Sequence, residues 1–221
     1  MDSRKTLVIN FFAGAAAGKT TCAWETAAEL KKLNIVAEYV PEYAKELVWD
    51  GKIDLLDGSY KNQTAMFKEQ KRRLDRLVGK VDVIVTDSPL LLQVAYIKEN
   101  AKDFESMAVV AHGEYNNFNL FINRGKVYEQ EGRIHSLSES QKVDKSIKNI
   151  LERNGIYYGN YYHITIPVVI ENIQTTLKKL QERPKPPMRE QFATAEEKAR
   201  VQDAAAQTVQ KGRGLEEREA R

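Results

Sequence analysis

Val8-Ile9-Asn10-Phe11-Phe12-Ala13-Gly14-Ala15-Ala16-Ala17-Gly18-Lys19-Thr20-Thr21 passes from an apolar run through a loop of small residues into Gly-Lys-Thr at the head of a helical pattern. That succession is the phosphate-binding P-loop, set between a buried strand and a helix. Its backbone N–H groups and the positive helix N-terminus face phosphates, Lys19 reaches the β/γ oxygens, and the Thr20 hydroxyl ligates Mg²⁺. The expected cofactors are therefore ATP (or GTP) and Mg²⁺, held by Ala13, Gly14, Ala15, Ala16, Ala17, Gly18, Lys19, Thr20 and Thr21. Ala13 stands where the pattern opens with Gly, an exchange that a negative φ permits.

Outward from the loop, Thr6 to Phe12 reads as a buried strand and Thr20 to Leu33 as a helix, with Asn34 as its C-cap. Ile35 to Val40 is a second strand candidate, ending in Pro41-Glu42-Tyr43, and a helix is expected from Tyr43 to about Trp49. Asn62 to Leu77 spaces Met66, Phe67, Leu74 and Leu77 as an amphipathic helix does. Val81 to Asp87 is a nearly continuous apolar strand closed by a carboxylate, suited to a central parallel position. Helical stretches follow from Ser88 toward Lys98 and over Phe104 to Gly113. Asn119 to Ile122 and Tyr162 to Ile166 are the fourth and fifth strand candidates, with a helix from Ser138 to Asn154 between them. Strands alternating with helices in this way specify an α/β fold: a doubly wound, mostly parallel sheet of about five strands with helices on both faces. Ligands in that architecture bind at the carboxyl ends of the strands, where the P-loop, Glu42, Asp87 and Asn123-Arg124 all fall.

The chain has 221 residues, 42% hydrophobic and 29% charged, enough for one sizeable core and an appendage. Residues 1–182 are expected to form the P-loop domain. From Arg183, Pro184-Lys185-Pro186-Pro187 opens a charged tail over 183–221 that is helical or disordered. No apolar stretch reaches the roughly 20 residues that span a bilayer, and Met1-Asp2-Ser3-Arg4-Lys5 leads into a strand rather than an export signal. The expectation is a cytoplasmic protein without membrane attachment, its oligomeric state open. Cys22, the single cysteine, reads as a small core residue. His112, His135 and His163 lack metal-ligand spacing. A net charge of +3 is too small to argue for nucleic acid unless it is concentrated, and Lys68, Lys71, Arg72, Arg73 and Arg76 form the one dense basic cluster in the body.

Phosphoryl transfer needs positioning and charge neutralisation more than covalent chemistry. Lys19 supplies charge at the phosphates. Asp87 is placed to hold Mg²⁺ or its water together with Thr20, or to act as the base, with a cap on a following helix as the alternative. Glu42 is a candidate base or acceptor-binding group, with a surface carboxylate at a helix start as the alternative. Arg124, Lys126 and Arg133 lie on a polar loop bounded by Gly125 and Gly132, with Tyr128 between, which suggests a mobile basic lid whose Arg124 and Arg133 serve catalysis. Tyr43, Gln70 and Arg73 are weaker candidates for gripping the acceptor.

Phe11 through Thr21, Val40-Pro41-Glu42-Tyr43-Ala44, Phe67 to Arg73, Thr86-Asp87-Ser88-Pro89 and Asn123-Arg124 through Gly132-Arg133 together resemble a family of small P-loop ATPases and kinases. That family includes the kinase part of the bifunctional ribosylnicotinamide kinase and many phage and bacterial proteins. The resemblance spans roughly residues 5 to 180; more distantly the layout is similar to deoxynucleoside and thymidylate kinases. It implies a nucleotide-kinase fold with ATP as donor and a base at Glu42 or Asp87, while Ala13 and Ala16 depart from the commoner Gly-containing loop. The leading expectation is a phosphotransferase acting on a nucleoside- or nucleotide-like acceptor. Two alternatives stand beside it: a kinase of a modified base in DNA, of the hydroxymethyluracil type, and a nucleotide-gated NTPase or binding module.

Overall fold

The structure is a computed structural model that describes residues 5–98, 101–124, 136–161 and 166–182. In chain order the elements are β1 (Leu7–Phe12), α1 (Lys19–Lys32), β2 (Ala37–Val40), α2 (Tyr43–Trp49), a 3₁₀ turn (Ile53–Leu56), α3 (Tyr60–Asp75), β3 (Val83–Thr86), α4 (Leu92–Tyr96), α5 (Lys102–Gly113), β4 (Asn116–Ile122), α6 (Leu137–Arg153), β5 (Gly159–Tyr161) and α7 (Ile166–Glu182). The five strands order as β2-β3-β1-β4-β5, and every pairing is parallel. All of these elements except the last residue of α7 fall in one compact unit, Met1–Gln181.

Parallel strands need crossovers, and those crossovers cover both faces of the sheet. Leu7, Ile9 and Phe11 of β1 face α1 and α7, packing with Cys22, Ala27, Leu30, Ile170 and Ile173. Val8 and Phe12 face α3 to α6, packing with Phe67, Leu74, Phe104 and Leu151. Hence every residue of β1 is buried, as its apolar run, broken only by Asn10, predicts. Helix α1 ends in a Schellman arrangement: Asn34 takes φ 59, Ile35 N–H donates to the Leu30 carbonyl at 3.1 Å, and Asn34 N–H donates to that of Lys31 at 3.0 Å. Cys22 is fully buried, and burial pushes its thiol up to about 12, which leaves it inert as a nucleophile.

Two strands differ from the sequence expectation. β4 starts at Asn116 rather than Asn119, because asparagines, poor strand formers alone, are satisfied here across the sheet: the Asn10 amide donates to Asn117 Oδ1 at 2.8 Å and to Asn119 Oδ1 at 3.0 Å. β5 is Gly159–Tyr161, ahead of the expected Tyr162 to Ile166, and Ile166 instead opens α7. The tertiary partner decides this: Tyr161 pairs with Ile122, and its fully buried ring meets Phe11 edge-on at 5.3 Å. The stretch after Ser88 also shortens, to α4 alone.

His112 gives the fold an acid-sensitive point. Its ring is buried against Phe12, with Nε2 lacking a hydrogen-bond partner among the described residues, and burial lowers its pKa from 6.5 to about 4. Between those values the unfolded chain binds a proton that the native state does not, so stability falls as pH drops from about 6.5 toward about 4. Urea titrations are expected to lose on the order of 2 kcal/mol across that window, and His112→Leu to flatten the loss.

Candidate functional site

β1 delivers the chain to residues 13–18, and α1 receives it at Lys19. Ala13 keeps a negative φ, so the exchange for Gly costs no strain there. The left-handed positions are Ala16 at φ 58 and Gly18 at φ 85. Gly18 adopts that conformation freely, whereas Ala16 carries a Cβ and is strained. Ala16→Gly is therefore expected to raise stability by about 1 kcal/mol, read as a shift in the urea midpoint at constant slope.

The head of α1 has no side-chain cap and no acidic residue in its first turn, in contrast to α3, capped by Ser59, and α6, closed by a Ser136–Glu139 capping box. Orphan N–H groups at the end of a fourteen-residue helix, under a small-residue loop, make an anion seat. Lys19 is only 7% exposed, and its ammonium donates to the Gly14 carbonyl at 2.9 Å, which folds the loop around it.

At the carboxyl end of β3, beside β1, Asp87 is 1% exposed. The Thr20 hydroxyl donates to Asp87 Oδ2 at 2.6 Å, and the Tyr39 hydroxyl donates to the same oxygen at 2.7 Å. Oδ1 is buried without a hydrogen-bond partner among the described residues. Asp87 caps no helix, since α4 begins at Leu92 with Leu91 at its N-cap, and this corrects the capping alternative. Burial, reinforced by the Asp87 charge, pushes the Tyr39 phenol above its ordinary range and keeps it a donor. Trp24, one turn beyond Thr20, is 60% exposed and meets Tyr39 edge-on at 6.2 Å. Glu42, in extended backbone at the head of α2, raises the Tyr39 phenol further, and it follows the carboxyl end of β2 as Asp87 follows that of β3, where Val40 pairs with Thr86.

Tyr43, Gln70 and Arg73 are brought together, with the Gln70 amide and the Arg73 guanidinium on protein partners. Buried Gln70 accepts from Tyr43 N–H and donates to the Pro41 carbonyl, both at 3.2 Å, and so brackets Glu42 from either side. Arg73 grips Glu46 through both terminal nitrogens at 2.7 and 2.6 Å, donates to Glu69 at 2.9 Å, and lies 4.7 Å from the Tyr43 ring centre. Arginine bonding from Arg72 and Arg73 holds the Glu69 carboxyl down at about 2. In this arrangement the three residues fix the turn that carries Glu42.

Arg124 follows β4 and points at the loop: Nη1 donates to the Ala15 carbonyl at 2.8 Å, and the guanidinium pairs with Asp144 and the Ser140 hydroxyl of α6. Arg133, Lys126, Tyr128 and the expected lid lie outside the described residues. A cleft of about 610 Å³ opens on this side of the site, with Asn123, Arg124, Asp144 and Lys145 in its wall. Sequence reasoning missed Tyr39, Ser140 and Asp144. The i, i+4 spacing of the last two marks one helix face, but nothing local says that this face meets the loop.

A family model described as an AAA domain matches residues 8–165. The chain belongs to that AAA-domain family. No curated protein matches its sequence. Among solved structures, this AAA domain is similar to NadR protein in complex with NR, with TM-score 0.63 and 18% identity, covering 82% of this chain and 54% of that one. It thus spans about half the length of the NadR chain. It is also similar to thymidylate kinase from Ehrlichia chaffeensis, with TM-score 0.51 and 17% identity, covering 76% of this chain and 99% of that one. The AAA domain therefore has the fold of nucleotide-kinase-like P-loop proteins. Among its described residues no helix is long and apolar enough to cross a membrane, and no cluster of three or more His, Cys, Asp or Glu side chains is arranged for a metal.

Proposed function

We propose that this protein is a phosphotransferase that uses ATP, with GTP as the alternative donor, and Mg²⁺ to phosphorylate a nucleoside- or nucleotide-like small molecule. The observation that carries the reading is Asp87: one oxygen takes two hydroxyl donors while the other, buried, takes none among the described residues, directly beside Thr20 at the head of the phosphate loop. A buried anionic oxygen next to a threonine hydroxyl fits a hard divalent cation that prefers oxygen ligands. Thr20 and Asp87 would hold Mg²⁺, directly or through its water, and when bound the ion supplies charge neutralisation on the phosphates. Lys19 binds the phosphate oxygens, and the loop N–H groups orient them. Glu42, its backbone bracketed by Gln70 at the same edge of the sheet, is the group proposed to take the proton of the acceptor hydroxyl, with Asp87 as the other candidate base. Exposed Trp24 beside Tyr39 adds an aromatic edge near these carboxylates, in keeping with an acceptor that carries a planar ring.

The reading of a kinase acting on DNA draws less support, because its basic cluster is largely neutralised. Lys71 pairs with Asp75 and Glu114 at 3.0 Å each, Arg72 with Glu69 at 2.8 Å, and Arg73 with Glu46 and Glu69. The test is mass spectrometry of the purified protein with Mg-ATP and pooled nucleosides, nucleotides and nicotinamide riboside, with hydroxymethyluracil-containing DNA as a separate arm. A small molecule gaining one phosphoryl group is the expected result. Product in the DNA arm alone would replace the acceptor class, and nucleotide turnover with no product in any arm would favour the nucleotide-gated module.

A further inference from the structure

We propose that Asp144 and Ser140, on one face of α6, are positioning residues that lock the entry of the phosphate loop and the guanidinium of Arg124 into a single frame, tying α6 to the nucleotide seat. The proposal rests on the reading above that residues 13–21 bind a nucleotide.

Four side chains converge on the backbone of two residues. Asp144 Oδ1 accepts the Gly14 N–H at 2.6 Å, the Ser140 hydroxyl donates to the Ala15 carbonyl at 2.6 Å, Arg124 Nη1 donates to that same carbonyl at 2.8 Å, and Lys19 Nζ donates to the Gly14 carbonyl at 2.9 Å. The clasp is also closed on itself: Arg124 Nε bonds Asp144 Oδ2, and Nη2 bonds both the Ser140 hydroxyl and, at 3.1 Å, Asp144 Oδ1. The approach is so close that only glycine admits it. A Cβ on residue 14 would stand 2.5 Å from the Ser140 carbonyl oxygen, 2.8 Å from its hydroxyl and 2.9 Å from Arg124 Nη2.

Burial makes this arrangement more than an incidental ion pair. Ser140 is fully buried, and the Arg124 and Asp144 side chains are each only 15% exposed. A charge pair withdrawn from water gains little net stability over apolar packing, yet removing one member leaves the other uncompensated. What such a pair contributes is geometry, a planar fork matched to a carboxylate with both partners fixed on backbone. The frame has a firm anchor, since Ser140 and Asp144 stand one turn apart on a helix whose first turn is closed by the Ser136–Glu139 box. The contacts fall on Gly14 and Ala15, at the mouth of the loop, and leave Ala16, Gly18 and the head of α1 to the phosphates. Asp144 thus steadies the donor cradle at its entry, and it holds the cationic Arg124 against the Ala15 carbonyl.

The test compares wild type with Asp144→Asn, Ser140→Ala, Arg124→Lys and the Asp144→Asn/Arg124→Lys double variant in the full-length protein. Mg-ADP affinity is measured by calorimetry, hydrogen exchange by mass spectrometry of the loop peptide, and urea midpoints in parallel. Asp144→Asn is expected to weaken Mg-ADP binding by about tenfold and to speed exchange at residues 14–15. Ser140→Ala, which removes one neutral bond and folds readily, should do the same to a smaller degree. Losses in affinity for Asp144→Asn and Arg124→Lys should not add, whereas a purely structural role would move only the urea midpoints. Unchanged affinity and exchange in the folded single variants would overturn the proposal, as would additive losses. Tighter Mg-ADP binding by Asp144→Asn would also overturn it, by making the carboxylate a competitor of the nucleotide. A wild type that binds no Mg-ADP would sink the nucleotide reading itself, while loop exchange in the variants still reports on the clasp.

Discussion

Lys19→Ala is expected to lower phosphoryl transfer from Mg-ATP by about 10²- to 10³-fold, the cost of removing one preorganised charged donor from a transition state. The lysine does two things at once. Its ammonium is the cation proposed to meet the phosphates, and its bond to the Gly14 carbonyl ties the loop back onto the head of α1. Because the side chain is 7% exposed, truncation to alanine also empties the space its stem fills. Lys19→Met separates these effects, for it keeps the apolar stem and removes the charge. Both variants should lose turnover while Lys19→Met melts close to wild type. A Lys19→Met protein that still made product at the wild-type rate would remove the P-loop from the chemistry.

Asp87→Asn has the second large effect expected, a fall of about 10²-fold or more in turnover together with a marked rise in the Mg²⁺ concentration needed for half-maximal rate. The substitution preserves shape. The asparagine carbonyl still accepts from a hydroxyl, and the Thr20 and Tyr39 hydroxyls are able to accept from its amide, so the local network is retained. Only the negative charge goes, and a buried carboxylate costs free energy to desolvate, so stability should change by no more than about 1 kcal/mol. Thermal melts and Mg²⁺ titrations of the rate distinguish the outcomes. Normal Mg²⁺ dependence in a destabilised variant would make Asp87 a structural anchor for Tyr39 and Thr20. Tyr39→Phe is the companion measurement, since it removes a donor from Oδ2 and leaves the charge in place.

Local chemistry alone determined much of this protein. The run Val8 to Phe12 had to be buried on both faces because it offers no polar side for water apart from Asn10, and Gly18-Lys19-Thr20 marked the head of a helix because the small-residue loop gives way there to apolar residues at helical spacing. Asp87 and Glu42 were legible at strand ends because strand length and the residues that close each strand place them there, and α/β alternation then puts all such ends on one edge of the sheet. Tertiary structure decided what depends on partners distant in sequence. Asn117 and Asn119 lie in a strand start because Asn10 lies across from them, and Gly159–Tyr161 is a strand because Ile122 and Phe11 receive Tyr161. Gln70 and Arg73, polar residues on a helix, are used to set the turn of Glu42 because α2 packs beside them. Asp144 meets Gly14 at a sequence separation of 130. Propensity and periodicity act over a few residues, whereas a hydrogen-bond partner is chosen by which elements the packed core brings within 3 Å, and that choice belongs to the fold as a whole.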